Sequence, residues 1–338
     1  PLRAMRQIML CDRGHTSSLN PVVIVSIGSH MEPLETINAG ASTLKQNVNG
    51  CSGGTTAPAQ LHLHVLGSGS KGNCALIEGP QGLIMIDNGF SRREALGRMH
   101  QLGLSERNVC ALIITHEHSD HVKGVGVWTR AFSTPVFATR GTMAARASLK
   151  DIDAKEFDPG DELVIAGVRV QTFSTSHDVT NPCGMAFSLD SANDRSAGAD
   201  GTDTIGFVTD TGVLGRDAAS LLYGSRILAL ESNHDVSMLR CGPYPRQLQD
   251  RILSDYGHLS NEQAADAAAK LISDNTQSLV AMHISQENNR PSLAVRALAH
   301  AVGAQLDNEL GSSATLERDC GAALKVRAAG QNRPFTLL

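Results

Sequence analysis

The sequence predicts an α/β protein built as a four-layered sandwich. Apolar runs of strand length first cluster and then alternate with capped helices over residues 61–328. No Pro-, Gly- or Ser-rich linker divides that span into two domains. Several of the runs end on His or Asp, so polar side chains collect where a sheet presents its edge.

In chain order, Leu61-His62-Leu63-His64-Val65-Leu66 alternates as a strand. His62 and His64 share the face opposite Leu63 and Val65 and read as partly exposed, not as ligands. Gly67 to Asn73 is a turn-rich loop, Ala75–Glu78 a second strand, and Gly79-Pro80-Gln81-Gly82 a turn into the strand Leu83–Asp87. Ser91 with Glu94 makes a capping box for a helix that runs to about Leu102 and stops at Gly103. Arg92, Arg93 and Arg98 read as its solvated face.

Cys110–Ile114 is the next buried strand, and Pro135–Ala138 another, followed by a short helix near 141–149. Leu163–Ile165 and Val168–Phe173 form a hairpin around Ala166-Gly167. Met185–Leu189, Ile205–Thr209, Arg226–Leu230 and Ser278–Met282 are strands, and 190–204 is a polar, acidic loop. Ser260 with Gln263 caps a helix over 261–273; Pro291 opens the last helix, which ends near Gly303. A closing strand pair is expected within 314–328, with 329–338 a tail. Residues 1–60, rich in Ser, Asn, Gly and Thr, read as an N-terminal extension, largely disordered or an artefact of the reading frame.

Composition narrows the class. Of 338 residues, 41% are hydrophobic and 19% charged, the balance of a globular protein with a large core. The net charge of −5 rules out a general polycation, so a phosphate substrate must be drawn in locally. Aromatics, at 4%, are too few for a stacking platform. Seven dispersed cysteines without a C-x-x-C suggest reduced thiols and a cytoplasmic location, with Cys110 a buried, inert thiol. No apolar run reaches the ~18 residues of a membrane span.

The chemistry is concentrated in Thr115-His116-Glu117-His118-Ser119-Asp120-His121, which directly follows a buried strand. Three imidazoles and a carboxylate in six residues form the pattern H-x-H-x-D-H, and these are the ligand types of Zn²⁺ and similar cations. Three more polar residues end apolar strands: His177, Asp210 and His283. Any one of them alone reads as a structural residue, but the seven in register do not.

This pattern resembles the signature of the metallo-β-lactamase superfamily. The resemblance implies the four-layered αβ/βα metallo-β-lactamase fold and two divalent ions, Zn²⁺ or Mn²⁺. It implies that His116, His118 and His177 hold one ion, that Asp120, His121 and His283 hold the other, and that Asp210 bridges them. It gives Asp87, also at a strand end, a supporting role by hydrogen bonds. A divalent ion lowers the pKa of a bound water from ~15.7 towards ~7, so hydrolysis by a metal-bound hydroxide is the natural reaction.

Spacing narrows the choice. Only 73 residues separate Asp210 from His283, too few for the β-CASP domain of the RNA-processing branch. The acidic gap after His177 lacks the basic or Gly/Pro-rich arm of tRNA 3′-end endonucleases. Four further motifs are Gly67-Ser68-Gly69-Ser70-Lys71-Gly72-Asn73, Glu231-Ser232-Asn233-His234-Asp235, Gly257-His258-Leu259-Ser260-Asn261-Glu262-Gln263, and Ser285-Gln286-Glu287-Asn288-Asn289. With the ligands, they resemble the YycJ/WalJ (VicX) group over about residues 61–328. That resemblance implies a 5′→3′ exodeoxyribonuclease acting on double-stranded DNA with a 5′-phosphate, linked to repair.

Beyond the metals, Asp120 and His234 are the candidate catalytic residues, with His234 at the site mouth as a general acid. Ser70, Lys71, Asn73, His258, Ser260 and Asn261 are candidates for substrate phosphate, the last three because they head a helix. Two alternatives stay open: a hydrolase of a small thioester, lactam or cyclic phosphodiester, and a non-catalytic metal-stabilised regulatory protein.

Overall fold

The computed structural model describes residues 23–25, 60–189, 203–319 and 321–338. The elements in chain order begin with β1 (Val23–Val25), β2 (His62–Gly67), β3 (Cys74–Gly79), β4 (Gly82–Ile86), α1 (Arg92–Gln101) and β5 (Val109–Ile113). Then come α2 (Ser119–Val122), α3 (Val125–Phe132), β6 (Val136–Thr139), α4 (Arg140–Ala145), β7 (Ala154–Phe157), β8 (Glu162–Ile165), β9 (Val168–Ser174) and β10 (Cys183–Leu189). The second half holds β11 (Thr204–Val208), α5 (Arg216–Leu222), β12 (Ile227–Glu231), α6 (Val236–Cys241), α7 (Arg246–Ile252), α8 (Asn261–Leu271) and β13 (Ser278–Met282). It closes with α9 (Pro291–Val302), β14 (Gln305–Leu306), β15 (Ser313–Leu316), β16 (Leu324–Ala328) and β17 (Phe335–Leu337).

Two mixed sheets result. One has the order β1-β8-β9-β10-β11-β12-β13-β16-β15-β14, the other β17-β2-β3-β4-β5-β6-β7. Alternation along the strands explains why they stack. In β12, Ile227 and Ala229 pack into the core between the sheets, while Leu228 and Leu230 pack under α5, α8 and α9. A strand covered on both faces needs apolar residues at every position, and the run Ile227–Leu230 supplies them. The other sheet repeats the logic: Ile84 and Ile86 face the inter-sheet core, while Leu83 and Met85 face a cluster with Ala95 and Met99 of α1 and Trp128 of α3. The layers are therefore helix, sheet, sheet, helix, as expected.

Both capping boxes form, Ser91 with Glu94 and Ser260 with Gln263. The hairpin of β8 and β9 turns on Ala166 and Gly167, both at positive φ (52° and 75°), which matches the twist of the flanking strands.

Five expectations change. Residues 329–338 are not a detached tail: β17 adds to the edge of β2, Leu337 enters the inter-sheet core, and the Leu338 carbonyl accepts from Arg226 at 2.7 Å. Val23–Val25 of the supposed extension pairs with β8; the rest of that expectation, and residues 190–202 of the acidic loop, lie outside the described residues. His64 is buried, because β17 and Glu78 cover it. Arg98 is not a solvated face residue: it stacks on Phe90 and donates to the carbonyls of Leu66 and Gln331. Cys110 is half-buried and not sealed in.

Candidate metal centre

The centre lies at the carboxyl ends of strands from both sheets. From the seven-stranded sheet, β4 leads directly to Asp87, and β5 leads through Thr115 into the His116–His121 loop. The single turn of α2 sets Asp120 and His121 side by side. From the ten-stranded sheet, β9 leads to His177, β11 to Asp210, β12 ends on Glu231 and β13 leads to His283. Asp87, Asp210 and His283 all adopt left-handed backbone conformations (φ 56°, 57° and 52°), each a sharp turn at the end of a strand. Non-glycine residues hold that region at a cost of ~1–3 kcal/mol each, and such strain gathers at functional sites.

All seven residues expected as ligands come together. The ligating atoms of His116, His118 and His177 lie within 4.8 Å of one another, as do those of Asp120, His121 and His283. Those of His116, His121 and Asp210 form a third group within the same limit. Asp210 joins the sets: its oxygens stand 3.3 Å from His121 Nε2, 3.4 Å from His283 Nδ1 and 3.9 Å from His177 Nε2.

Hydrogen bonds on the outside of the centre fix the tautomers within it. His121 Nδ1 meets Asp87 Oδ2 at 2.7 Å, and His177 Nδ1 meets the Gly257 carbonyl at 3.0 Å. His283 Nδ1 meets Glu231 Oε1 at 3.0 Å. His116 Nδ1 meets Thr115 Oγ1 at 3.0 Å, and that hydroxyl donates its own proton to Asp87 Oδ2 at 2.7 Å. Each partner can only accept, so each Nδ1 carries a proton and each Nε2 points inward. His116 Nε2, His283 Nε2 and Asp210 Oδ2 are shut off from solvent, and no hydrogen bond satisfies them. Buried polar atoms rarely stay unpaired. Converging nitrogen lone pairs and carboxylates fit a divalent cation, and the donor set suits one.

The electrostatics agree. Burial and the neighbouring His121 hold His116 well below the ordinary histidine range, in the neutral form that ligates. Burial would also depress His121 and His283, but carboxylates outweigh it: Asp210, Asp87 and Asp120 lift His121 well up, and Asp210, Asp120 and Glu231 lift His283 to about 10. Burial opposes ionisation of Asp210, yet His283, His121 and His116 keep it well below the usual carboxylate range. The pocket therefore favours positive charge at its centre.

Asp87 supports the loop as expected, accepting from the Thr115 N–H at 2.8 Å as well as from His121 and the Thr115 hydroxyl. Asn73 is not on the rim. It is buried and donates to Asp120 Oδ2 at 3.1 Å, so it orients that carboxylate. Ser70 and Lys71 are exposed on the same loop, whose backbone Gln331 pins through Lys71 N–H and the Gly72 carbonyl at 3.0 and 2.8 Å.

The residue that sequence reasoning missed is Glu231. It is fully buried and accepts from His258 Nδ1 at 2.8 Å, His283 Nδ1 at 3.0 Å and the Thr211 N–H at 2.9 Å. Burial opposes its ionisation, but the His258 imidazole and these hydrogen bonds draw it down to about 2. The signal was available: Glu231 ends a buried strand as Asp87 and Asp210 do. His258 stacks between His177 and His283, at ring separations of 4.9 and 5.2 Å, with its side chain 18% exposed.

Three expectations for this region fail. His234 is not at the mouth: it has no exposed surface, neither ring nitrogen has a partner, and its backbone bridges to Ser260. The chain after β12 turns inward, not outward. Ser260 and Asn261 are likewise buried; Ser260 caps α8, and Asn261 exchanges hydrogen bonds with Ser232 and Asn289 at 2.7 to 3.0 Å.

Comparison with known proteins assigns the class. The model of the metallo-β-lactamase superfamily matches residues 67–191. The metallo-β-lactamase fold protein YhfI of Bacillus subtilis superposes with a TM-score of 0.57 at 14% identity, covering 82% of this chain and 99% of that one. Zn²⁺-bound PqqB of Methylobacterium extorquens superposes with a TM-score of 0.56 at 16% identity, covering 82% and 99%. The architecture is thus the metallo-β-lactamase fold. The chain is also 36% identical to exodeoxyribonuclease YycJ of Bacillus anthracis over 238 residues, 69% of this chain and 86% of the relative. It is 32% identical to exodeoxyribonuclease WalJ of Streptococcus pneumoniae over 253 residues, 73% and 90% respectively. The chain belongs to the YycJ/WalJ family of metallo-β-lactamase-fold hydrolases.

Proposed function

We propose that this protein is a metal-dependent exodeoxyribonuclease that degrades double-stranded DNA 5′→3′ from a 5′-phosphorylated end, in DNA repair in the cytoplasm. The observation that carries the reading is the set of four imidazoles whose outer nitrogens are committed to acceptors. Their inner nitrogens converge with Asp120 and Asp210. His116, His118 and His177 would hold one divalent ion, Zn²⁺ or Mn²⁺, and Asp120, His121 and His283 a second, with Asp210 shared between the two sets. When bound, such ions supply positive charge for phosphate oxygens and lower the pKa of water.

The chain's own residues do the rest. Asp87 and Asn73 fix the orientations of His121 and Asp120. His258, with Nδ1 held by the anionic Glu231, presents Nε2 to the departing 3′-oxygen and protonates it, the role first assigned to His234. Lys71 and Ser70 meet the DNA backbone from the exposed loop. The YycJ and WalJ names support DNA as substrate.

The test is a time course on 5′-phosphorylated duplex DNA with Mn²⁺ or Zn²⁺, beside Asp120→Ala. Mononucleotides leave the 5′ end with the wild type only. Equal release by both proteins, or strong turnover of nitrocefin or a thioester without DNA cleavage, overturns the reading.

A further inference from the structure

A second group of metal-ligating side chains stands on the outer face of the seven-stranded sheet. His62 and His64 are two apart on β2, so they project from one face, while Leu63 and Val65 enter the inter-sheet core. Glu78 of β3 is directly opposite His62 in the antiparallel register. A single carboxylate oxygen, Glu78 Oε2, lies 3.1 Å from His62 Nδ1 and 3.1 Å from His64 Nε2. All three ligating atoms fall within 4.8 Å of one another.

We propose that His62, His64 and Glu78 form a Zn²⁺ site separate from the catalytic centre, which shares none of these residues. Zinc binds imidazole nitrogen and carboxylate oxygen at ~2.0–2.2 Å in a tetrahedron, which separates neighbouring ligand atoms by about 3.3 Å. The two observed contacts of 3.1 Å are close to that edge. His64 Nδ1 meets Thr336 Oγ1 at 2.8 Å; with Nδ1 as the donor of that bond, Nε2 is free to give its lone pair to a cation held with Glu78. A partner of this kind on the far nitrogen is the usual support of a zinc-bound histidine. Burial also keeps His64 below the ordinary histidine range and so neutral. Side-chain exposures of 23% for His62 and 33% for Glu78 leave an open side for entry and for a water as fourth ligand. Because Thr336 belongs to β17, zinc here ties the C-terminal edge strand to β2 and β3.

The experiment is elemental analysis of purified protein dialysed against Zn²⁺ and then against metal-free buffer, for wild type, His62→Ala, Glu78→Gln and Asp120→Ala. The wild type carries about one zinc per chain more than His62→Ala or Glu78→Gln, while both variants keep wild-type DNA turnover. His62 and Glu78 are partly exposed, so these variants keep the fold; circular dichroism verifies it. Zinc also raises the melting temperature of the wild type more than that of His62→Ala. Asp120→Ala perturbs only the catalytic complement, so a failure of the catalytic reading is told apart from a failure here. Equal zinc content in wild type, His62→Ala and Glu78→Gln overturns the proposal.

Discussion

Asp87 is buried, and it accepts three hydrogen bonds at 2.7 to 2.8 Å, from Thr115 N–H, Thr115 Oγ1 and His121 Nδ1. Asp87→Asn puts an amide donor where one of these donors arrives and frees the His121 ring to rotate. Metal affinity should fall ~10–100-fold, read by competition with a chelating dye, with the fold intact. His258 and His234 separate function from structure. His258→Ala should lower kcat by ~10²–10⁴ with KM little changed, while His234→Leu should leave DNA turnover near wild type. Burial holds His234 down to about 4 against an ordinary 6.5. Between those values the unfolded chain binds a proton that folded His234 refuses, so stability is lost as pH falls through the window. The loss is on the order of 3 kcal/mol. His234→Leu should flatten that part of the wild-type curve in urea titrations at pH 4 to 7.

The strand is the element that made the site legible. His177, Asp210 and His283 could be read as ligand candidates because each closes an apolar run, and a buried strand can place its terminal side chain in few ways. Glu231 offers the same signal, but its role depends on His258, which comes from a loop 27 residues on and which no local pattern links to it. His234 was misplaced for the converse reason: residue type suggested an acid, while the path of the backbone, which residue types do not encode, buried it. The left-handed turns at Asp87, Asp210 and His283 are equally hidden, as no side-chain pattern reports φ. Very short elements were lost as well. Three residues of β17 carry no periodicity, yet Leu337 is 5% exposed in the inter-sheet core. Leu337→Ala should cost ~2–5 kcal/mol, measured by denaturant unfolding, and more if the strand detaches.

Over the whole molecule, composition alone set the class, and the layered order of strands and helices set the architecture. The pairing of sheets around one centre emerged only in three dimensions. The His116–His121 loop belongs to one sheet, and His177, Asp210 and His283 to the other. Any ion that binds there binds the folded state alone, and its removal should lower stability. At a free metal concentration 100 times Kd, the gain is about 2.7 kcal/mol. A melting curve that EDTA leaves unmoved, in protein shown to lose its metal, would count against this arrangement.

The same straddling has a practical consequence. A bolt through two plates resists their parting only while it is in place, so stripped protein should gape along the seam between the plates and offer its inner loops to trypsin. Digestion rate would then act as a gauge of loading that needs no DNA at all.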